Sequence, residues 1–386
     1  MSGRVARTLG TAALAAVVAV SPATAEPAGP DPAPAAGAPQ EATRAPQGVA
    51  ALLTRLQTLY REAEEAGELH TGAAEELKRQ SARSGELGTE LTRARAALDS
   101  SRREAGRLAR DQYQGHTGFS VYLRLLLSPD PQHALEQSHV IERAQAGRLA
   151  TVDRLTDAEK HADTLAARSR AVLDRQRKLV AQQRRHRDTV RSRLDDVEAL
   201  LASLTPAQLA ALSALEERNT EAAQDELVAS GALSSARPPS AQGSDAVRYA
   251  IGQIGKPYVW GAEGPDAYDC SGLTSRAWSA AGRTVARTSQ EQWRQLPKVP
   301  VASLRPGDLV VYFPKATHVA LYIGDGLVVQ APRPGASVKV SPLASNPLLG
   351  AVRPDPDAEP LTSYTPPELP EGASSGSDSG YDAPES

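Results

Sequence analysis

Cys270 is the single cysteine of this 386-residue chain. It stands just ahead of Leu273 to Ala281, a run of good helix formers that stops at Gly282. A cysteine at a helix start meets unpaired backbone N–H groups and the positive end of the helix dipole, and both favour thiolate over thiol. His318 is the only one of seven histidines beyond residue 186, so it is the one imidazole offered locally as a base. A thiolate beside an imidazolium is a nucleophile with its acid/base partner. Singly, each residue has a plain alternative: a chance cysteine, a structural histidine. The conjunction points to covalent acyl chemistry. One Cys and one His do not complete a zinc set, so no metal and no cofactor are expected.

The segments around the pair are expected to place it. Arg305-Pro306-Gly307-Asp308 reads as a turn and Leu309 to Phe313 as a buried strand. His318 to Ile323 reads as a strand entering a Gly324-Asp325-Gly326 hairpin turn, with Leu327 to Ala331 returning. On neighbouring antiparallel strands the side chains of His318 and Gln330 can meet. The Gln330 amide oxygen would then accept the imidazole N–H and fix the tautomer.

Composition divides the whole chain. Arg4 and Arg7, the apolar run Leu9 to Val20 and Ala23-Thr24-Ala25 make residues 1–25 a secretory signal peptide. A lone cysteine in an exported chain is a working thiol or an accident. Residues 26–46 are Pro/Ala-rich and expected to be disordered. Residues 47–232 are helical in pattern, 233–243 a Ser/Pro/Gly linker, 244–355 a mixed domain, and 356–386 a disordered acidic tail. In the helical part, Leu52, Leu56, Leu59 and Ala63, then Leu87, Leu91, Ala94, Leu98, Ala105 and Leu108, form a narrow apolar seam. A second seam runs through Val152, Leu155, Ala162, Leu165, Val172, Leu179, Leu194, Val197 and Leu201. Between them lie an apolar knot at 119–127 and the breaker Ser128-Pro129-Asp130-Pro131. The expectation is an antiparallel coiled-coil hairpin with arms of about 65 residues, on the order of 100 Å long, and a third, shorter helix from Pro206 to Glu217. The apolar tip leaves three readings open: it packs on itself, docks a membrane protein, or belongs to an arm that inhibits the domain. A net charge of −3 gives no pull toward nucleic acid, and none is expected as a partner.

Four ordered elements carry a resemblance. Pro257-Tyr258-Val259-Trp260-Gly261, Asp269-Cys270-Ser271-Gly272, Pro306-Gly307-Asp308-Leu309 and His318 to Gly324 resemble the NlpC-type papain-like cysteine peptidases over residues 244 to about 353. The resemblance implies a compact α+β fold, with the cysteine helix packed on an antiparallel sheet. It implies hydrolysis of the D-γ-glutamyl–diaminopimelate bond of peptidoglycan stem peptides. Cys270 would be the nucleophile, His318 the base and Gln330 the orienting residue. Tyr258 would line the site, and Asp269, Ser271 and Ser289 would contact substrate. The last three have simpler roles open to them: Asp269 and Ser271 as caps of the cysteine helix, Ser289 as cap of the Gln290 to Gln295 segment. Two departures stand out. The third position is often His in that family, and Gly261 is followed by Ala262 instead of a second glycine. With the hairpin, the architecture resembles secreted, cell-wall-associated hydrolases of cell separation, whose coiled coils answer to membrane division machinery. An amidase or acyltransferase of the same chemistry, or a wall-binding scaffold, are the alternatives.

Overall fold

The computed structural model describes residues 45–114, 131–233 and 237–375. The expected signal peptide, most of the Pro/Ala-rich segment and the apolar knot at 119–127 lie outside the described residues. From Pro46 onward the chain forms one compact unit.

Two long helices come first: α1 over Ala45–Gln114, 70 residues, and α2 over Pro131–Ala202, 72 residues. They run antiparallel. Arg193 pairs with Glu62, Gln176 reaches Ser81, Arg154 pairs with Glu104 and Arg102 with Glu159, so partners on α1 rise as those on α2 fall. The seam is buried as the spacing predicts, with Leu87, Ala94 and Leu98 against Ala162 and Leu165. Val152 is the exception: it is 53% exposed, and the expectation that it belongs to the seam is corrected. The third helix, α3, spans Pro206–Ala229 and is longer than expected. Thr205 and Gln208 form a reciprocal capping box at its start, with Pro206 in the first turn. It continues past Glu217 because its second half packs on the mixed domain: Gln224 donates to the Gly326 carbonyl and accepts from the Ala344 N–H.

The mixed domain is α+β. Helices α4 (Ala241–Ile251), α5 (Cys270–Ala280) and α6 (Ser289–Gln295) accompany a six-stranded antiparallel sheet. The strands are β1 (Lys298–Val299), β2 (Leu309–Tyr312), β3 (His318–Gly324), β4 (Leu327–Gln330), β5 (Lys339–Pro342) and β6 (Leu348–Val352), in the order β1-β6-β2-β3-β4-β5. β2, β3 and β4 read as near-continuous apolar runs because both faces are covered. One face packs on α4 and α5 through Ala246, Leu273, Ala277 and Trp278. The other meets Leu227 of α3 and Leu343. The Pro306-Gly307-Asp308 turn is held by the Asp308 carboxylate, which accepts from the Arg305 N–H and from Arg353.

The tail departs from expectation. Composition predicts disorder over 356–386, yet residues 356–375 run along the domain; 376–386 lie outside the described residues. Leu361 N–H donates to the Pro239 carbonyl, Val340 N–H on edge strand β5 donates to the Ala373 carbonyl, and Ala373 joins the core. Prolines preset an extended backbone, and an edge strand supplies N–H groups that need acceptors. Composition alone does not register either partner.

Candidate active site

Helix α5 begins at Cys270 itself. Asp269 is its N-cap, accepting from the Gly272 N–H at 2.6 Å. The backbone here is tight: a Cβ on Gly272 would lie 2.2 Å from the Ala262 carbonyl oxygen, so only glycine lets the cysteine helix sit against the preceding loop. Strand β3 opens with His318, and β4 closes with Gln330. In their register Leu321 faces Val329, which brings both side chains to one end of the sheet. The Gln330 Oε1 lies 2.7 Å from the His318 Nε2. With Nε2 engaged, Nδ1 is the nitrogen on offer, and a ring nitrogen of His318 lies within 4.8 Å of the Cys270 sulfur. Tyr258 is buried against the same place, and burial beside Cys270 keeps its phenol protonated well above the usual tyrosine range.

The remaining expected site residues divide. Asp269 is saturated by structure: besides capping α5 it accepts from the Gly261 N–H and forms an ion pair with Arg287 at 2.7 Å. Ser271 does not cap the helix; its hydroxyl faces the cleft. Ser289 is not the cap of α6 either, because Thr288 takes that place. Ser289 Oγ donates to the Ala316 carbonyl, and its N–H points into the cleft.

The cleft is filled from outside the domain. Residues Tyr60, Ala63, Glu64, Gly67, Glu68 and Thr71 make one face of α1, spaced three and four apart, and that face lies on the site. Glu64 Oε1 is 3.0 Å from His318 Nδ1. Glu68 accepts from Ser271 Oγ at 2.6 Å and from the Ser289 N–H at 2.7 Å, and its Oε1 is 3.7 Å from the Cys270 sulfur. Gly67 lets the helix approach: a Cβ there would lie 2.4 Å from Trp260 Nε1. Trp260 Nε1 is buried without a partner under this contact, and its ring meets His70 at 4.5 Å with the planes tilted by 59°. Further along, Glu65 pairs with Lys315, and Glu216 of α3 pairs with Arg333, whose guanidinium lies over the Tyr60 ring. As a result Cys270, His318 and Gln330 are at most 2% exposed.

The mixed domain is similar in sequence to known proteins. The NlpC/P60 family profile matches residues 255–350. The profile covers most of the mixed domain and none of the helical hairpin. A protein named "Probable endopeptidase" from Corynebacterium glutamicum is 42% identical over 125 residues, covering 32% of this chain and 59% of that one. The chain therefore spans about three-fifths of that relative's length. "Peptidoglycan endopeptidase RipA" from Mycolicibacterium smegmatis is 36% identical over 126 residues, covering 28% of this chain and 25% of its own. Among solved structures, an NlpC/P60 family protein from Bacillus cereus is 31% identical, with 31% of this chain and 42% of that chain covered and a TM-score of 0.29.

In this domain the electrostatics run against the expectation of a ready thiolate. Burial pushes the Cys270 thiol well above its ordinary range, and Glu68, Glu64 and Asp269 push it further. The helix start is present, but burial first and then the three carboxylates act against it. Burial would lower the imidazolium pKa of His318, yet Glu64, Gln330 and Glu68 together raise it. Burial and the Asp269 charge lift Glu68 to about 7, against Ser271, Ser289 and Arg287. The Cys270 and His318 shifts both favour the protonated form of the group concerned. The His318 Nδ1 faces the Glu64 carboxylate at 3.0 Å.

Three residues escaped the sequence reading. Glu64 and Glu68 look like an i,i+4 pair on a solvated helix face. The one available signal was Ala63 and Gly67, small residues interrupting a leucine seam beside them. Arg287 binds Asp269, Ser271 Oγ and the Ala262 carbonyl. An arginine between two helices has no mark in sequence that distinguishes it from a surface charge.

Proposed function

We propose that this chain is a secreted peptidoglycan endopeptidase that hydrolyses the D-γ-glutamyl–diaminopimelate bond and rests in a self-inhibited form. The peptidase reading is supported by the NlpC/P60 profile match over residues 255–350 and by the Cys270, His318 and Gln330 constellation. The self-inhibited form is supported by one observation: Glu64 and Glu68 of α1 occupy the space in front of the nucleophile and base.

Once the arm withdraws, Cys270 regains water and loses two nearby carboxylates, so its pKa falls toward that of a helix-start thiol. Without Glu64 beside it, His318 falls back toward its ordinary range and gives any Nδ1 proton to water, and the neutral imidazole then takes the thiol proton. The thiolate attacks the γ-glutamyl carbonyl carbon, and the Cys270 N–H, with the Tyr258 region, faces the developing oxyanion. His318 gives its proton to the leaving diaminopimelate amine and afterwards draws one from water, which releases the acyl group. Gln330 holds the imidazole in orientation throughout. The coiled coil serves as the regulatory arm, and a membrane division protein acting at its tip would supply the withdrawal. Cell-wall remodelling or cell separation is the setting that fits such control.

The test uses purified diaminopimelate-type peptidoglycan, with products read by mass. Full-length protein should cut slowly. The full-length Glu64→Ala/Glu68→Ala variant should cut at least about tenfold faster, the factor equal to 1.4 kcal/mol of closing free energy. Adding Cys270→Ser should abolish the activity. Release of glycan-free peptide by cleavage next to the sugar would instead make the enzyme an amidase. No cleavage by the opened variant would leave a wall-binding role.

A further inference from the structure

We infer that the closed protein carries a zinc site whose ligands are Glu64, Cys270 and His318, so that one Zn2+ ion clamps the arm onto the domain it covers. The domain alone presents one Cys and one His, which is too few. The arm adds the missing ligand. A carboxylate oxygen of Glu64, the Cys270 sulfur and a ring nitrogen of His318 all lie within 4.8 Å of one another, and all three residues are buried.

The donor set and its surroundings both suit zinc. Sulfur, imidazole nitrogen and one carboxylate oxygen select a borderline-soft ion over magnesium or calcium, which take oxygen. Zinc bonds of 2.0–2.3 Å place tetrahedral donors roughly 3.3–3.8 Å apart, so the side chains need move only on the order of an ångström. Gln330 already does what an outer partner of a zinc-bound histidine does: its Oε1 takes Nε2–H at 2.7 Å, which directs the Nδ1 lone pair at the site. Glu68 stays on Ser271 and the Ser289 N–H, 3.7 Å from the sulfur, leaving the fourth position to water.

The consequence follows from where the ligands come from. Two belong to the domain and one to the arm, so the full set exists only when the protein is closed. An ion that binds one state alone multiplies that state's population by 1 + [Zn2+]/Kd. Zinc at a hundred times Kd would therefore hold the arm down about a hundredfold more firmly.

The experiment is metal binding by tag-free, full-length protein, followed by competition with a chromogenic chelator, by thermal melting and by the spectrum of the Co2+ form. Wild type should bind one Zn2+ per chain with a raised melting temperature. Its Co2+ form should show a near-ultraviolet thiolate-to-metal band that Cys270→Ser lacks. Glu64→Gln, close to isosteric, and Glu64→Ala should each bind at least tenfold more weakly. Glu65→Ala, whose carboxylate pairs with Lys315 outside the cleft, should match wild type. Absence of stoichiometric binding by wild type would overturn the site. So would undiminished binding in both Glu64 variants, since the arm would then contribute no ligand. These readouts need no turnover, so a failure of the peptidase reading would leave them standing.

Discussion

At the scale of single residues, the surroundings of Cys270 act in opposite directions. The start of α5 favours the thiolate, while burial under Glu64 and Glu68 favours the thiol. Both carboxylates belong to the arm, so protonation and closure are linked. Glu68 has an ordinary value of 4.5 when exposed and about 7 when closed. A pKa raised in the closed state means that closing takes up a proton. This contribution to closure is fully present below about pH 4.5 and is lost as pH rises through 7. His318 and Cys270 are also shifted upward, so they act in the same sense at higher pH. The expected outcome, with a chelator present, is that the activity ratio of Glu64→Ala/Glu68→Ala to wild type shrinks from pH 5 to pH 8. A flat or growing ratio would contradict the linkage. Gln330 makes a different contribution, because it orients the imidazole and carries no charge. Gln330→Ala in the opened variant should reduce kcat by about 10- to 100-fold with little change in KM, whereas loss of the base should cost more. Gln330→His, which restores the residue common in the family, should recover part of the loss.

At the scale of elements, one face of α1 does the closing, and Gly67 is its point of closest approach. Substituting Gly67→Leu places a branched side chain where Trp260 Nε1 stands 2.4 Å from the new Cβ. Leucine is a better helix former than glycine by up to about 1 kcal/mol, so α1 itself should gain stability. The variant should therefore be more active and more readily alkylated at Cys270, without a lower melting temperature for the hairpin. Alkylation no faster than in wild type would mean that this face does not control access. The same element shows what a sequence discloses. The seams at 87–98 and 155–172 were legible because a coiled coil is a local, periodic object, and burial followed the period. The cysteine helix and the β3–β4 hairpin were legible because caps, turns and alternation lie within a few residues of the groups they position. Glu64 and Glu68 were not. Their function depends on contact with residues two hundred positions away, and an i,i+4 glutamate pair is the commonest decoration of an exposed helix. The tail at 356–375 was misread for the same reason: its partners, Pro239 and Val340, are remote in sequence.

At the scale of the whole molecule, closure has two latches on two helices. Glu64 of α1 meets His318, Glu68 of α1 meets Ser271 and the Cys270 sulfur, and Glu216 of α3 meets Arg333 at 3.0 Å. The helices that bear them share a core in which Leu212 of α3 packs with Leu53, Leu56 and Tyr60 of α1 and Val197 of α2. A shared core makes the three helices one body, so neither latch opens while the other stays shut. Two interactions that lock the same body are not independent, and removing them gives effects that do not add. Glu216→Ala alone should activate the full-length protein modestly, because a largely buried ion pair is lost on the closed side only. In the Glu64→Ala/Glu68→Ala background, where the open state already dominates, the same substitution should add almost nothing. Leu212→Ala should differ. It leaves a cavity inside the arm, costs about 2–5 kcal/mol of hairpin stability, and uncouples α1 from α3. Its signature is a separate, lower melting transition, and each latch should then activate on its own. Equal activation by Glu216→Ala in the closed and opened backgrounds would show instead that α3 acts on the cleft directly, through Arg333 beside Gln330, and not through the body it shares with α1.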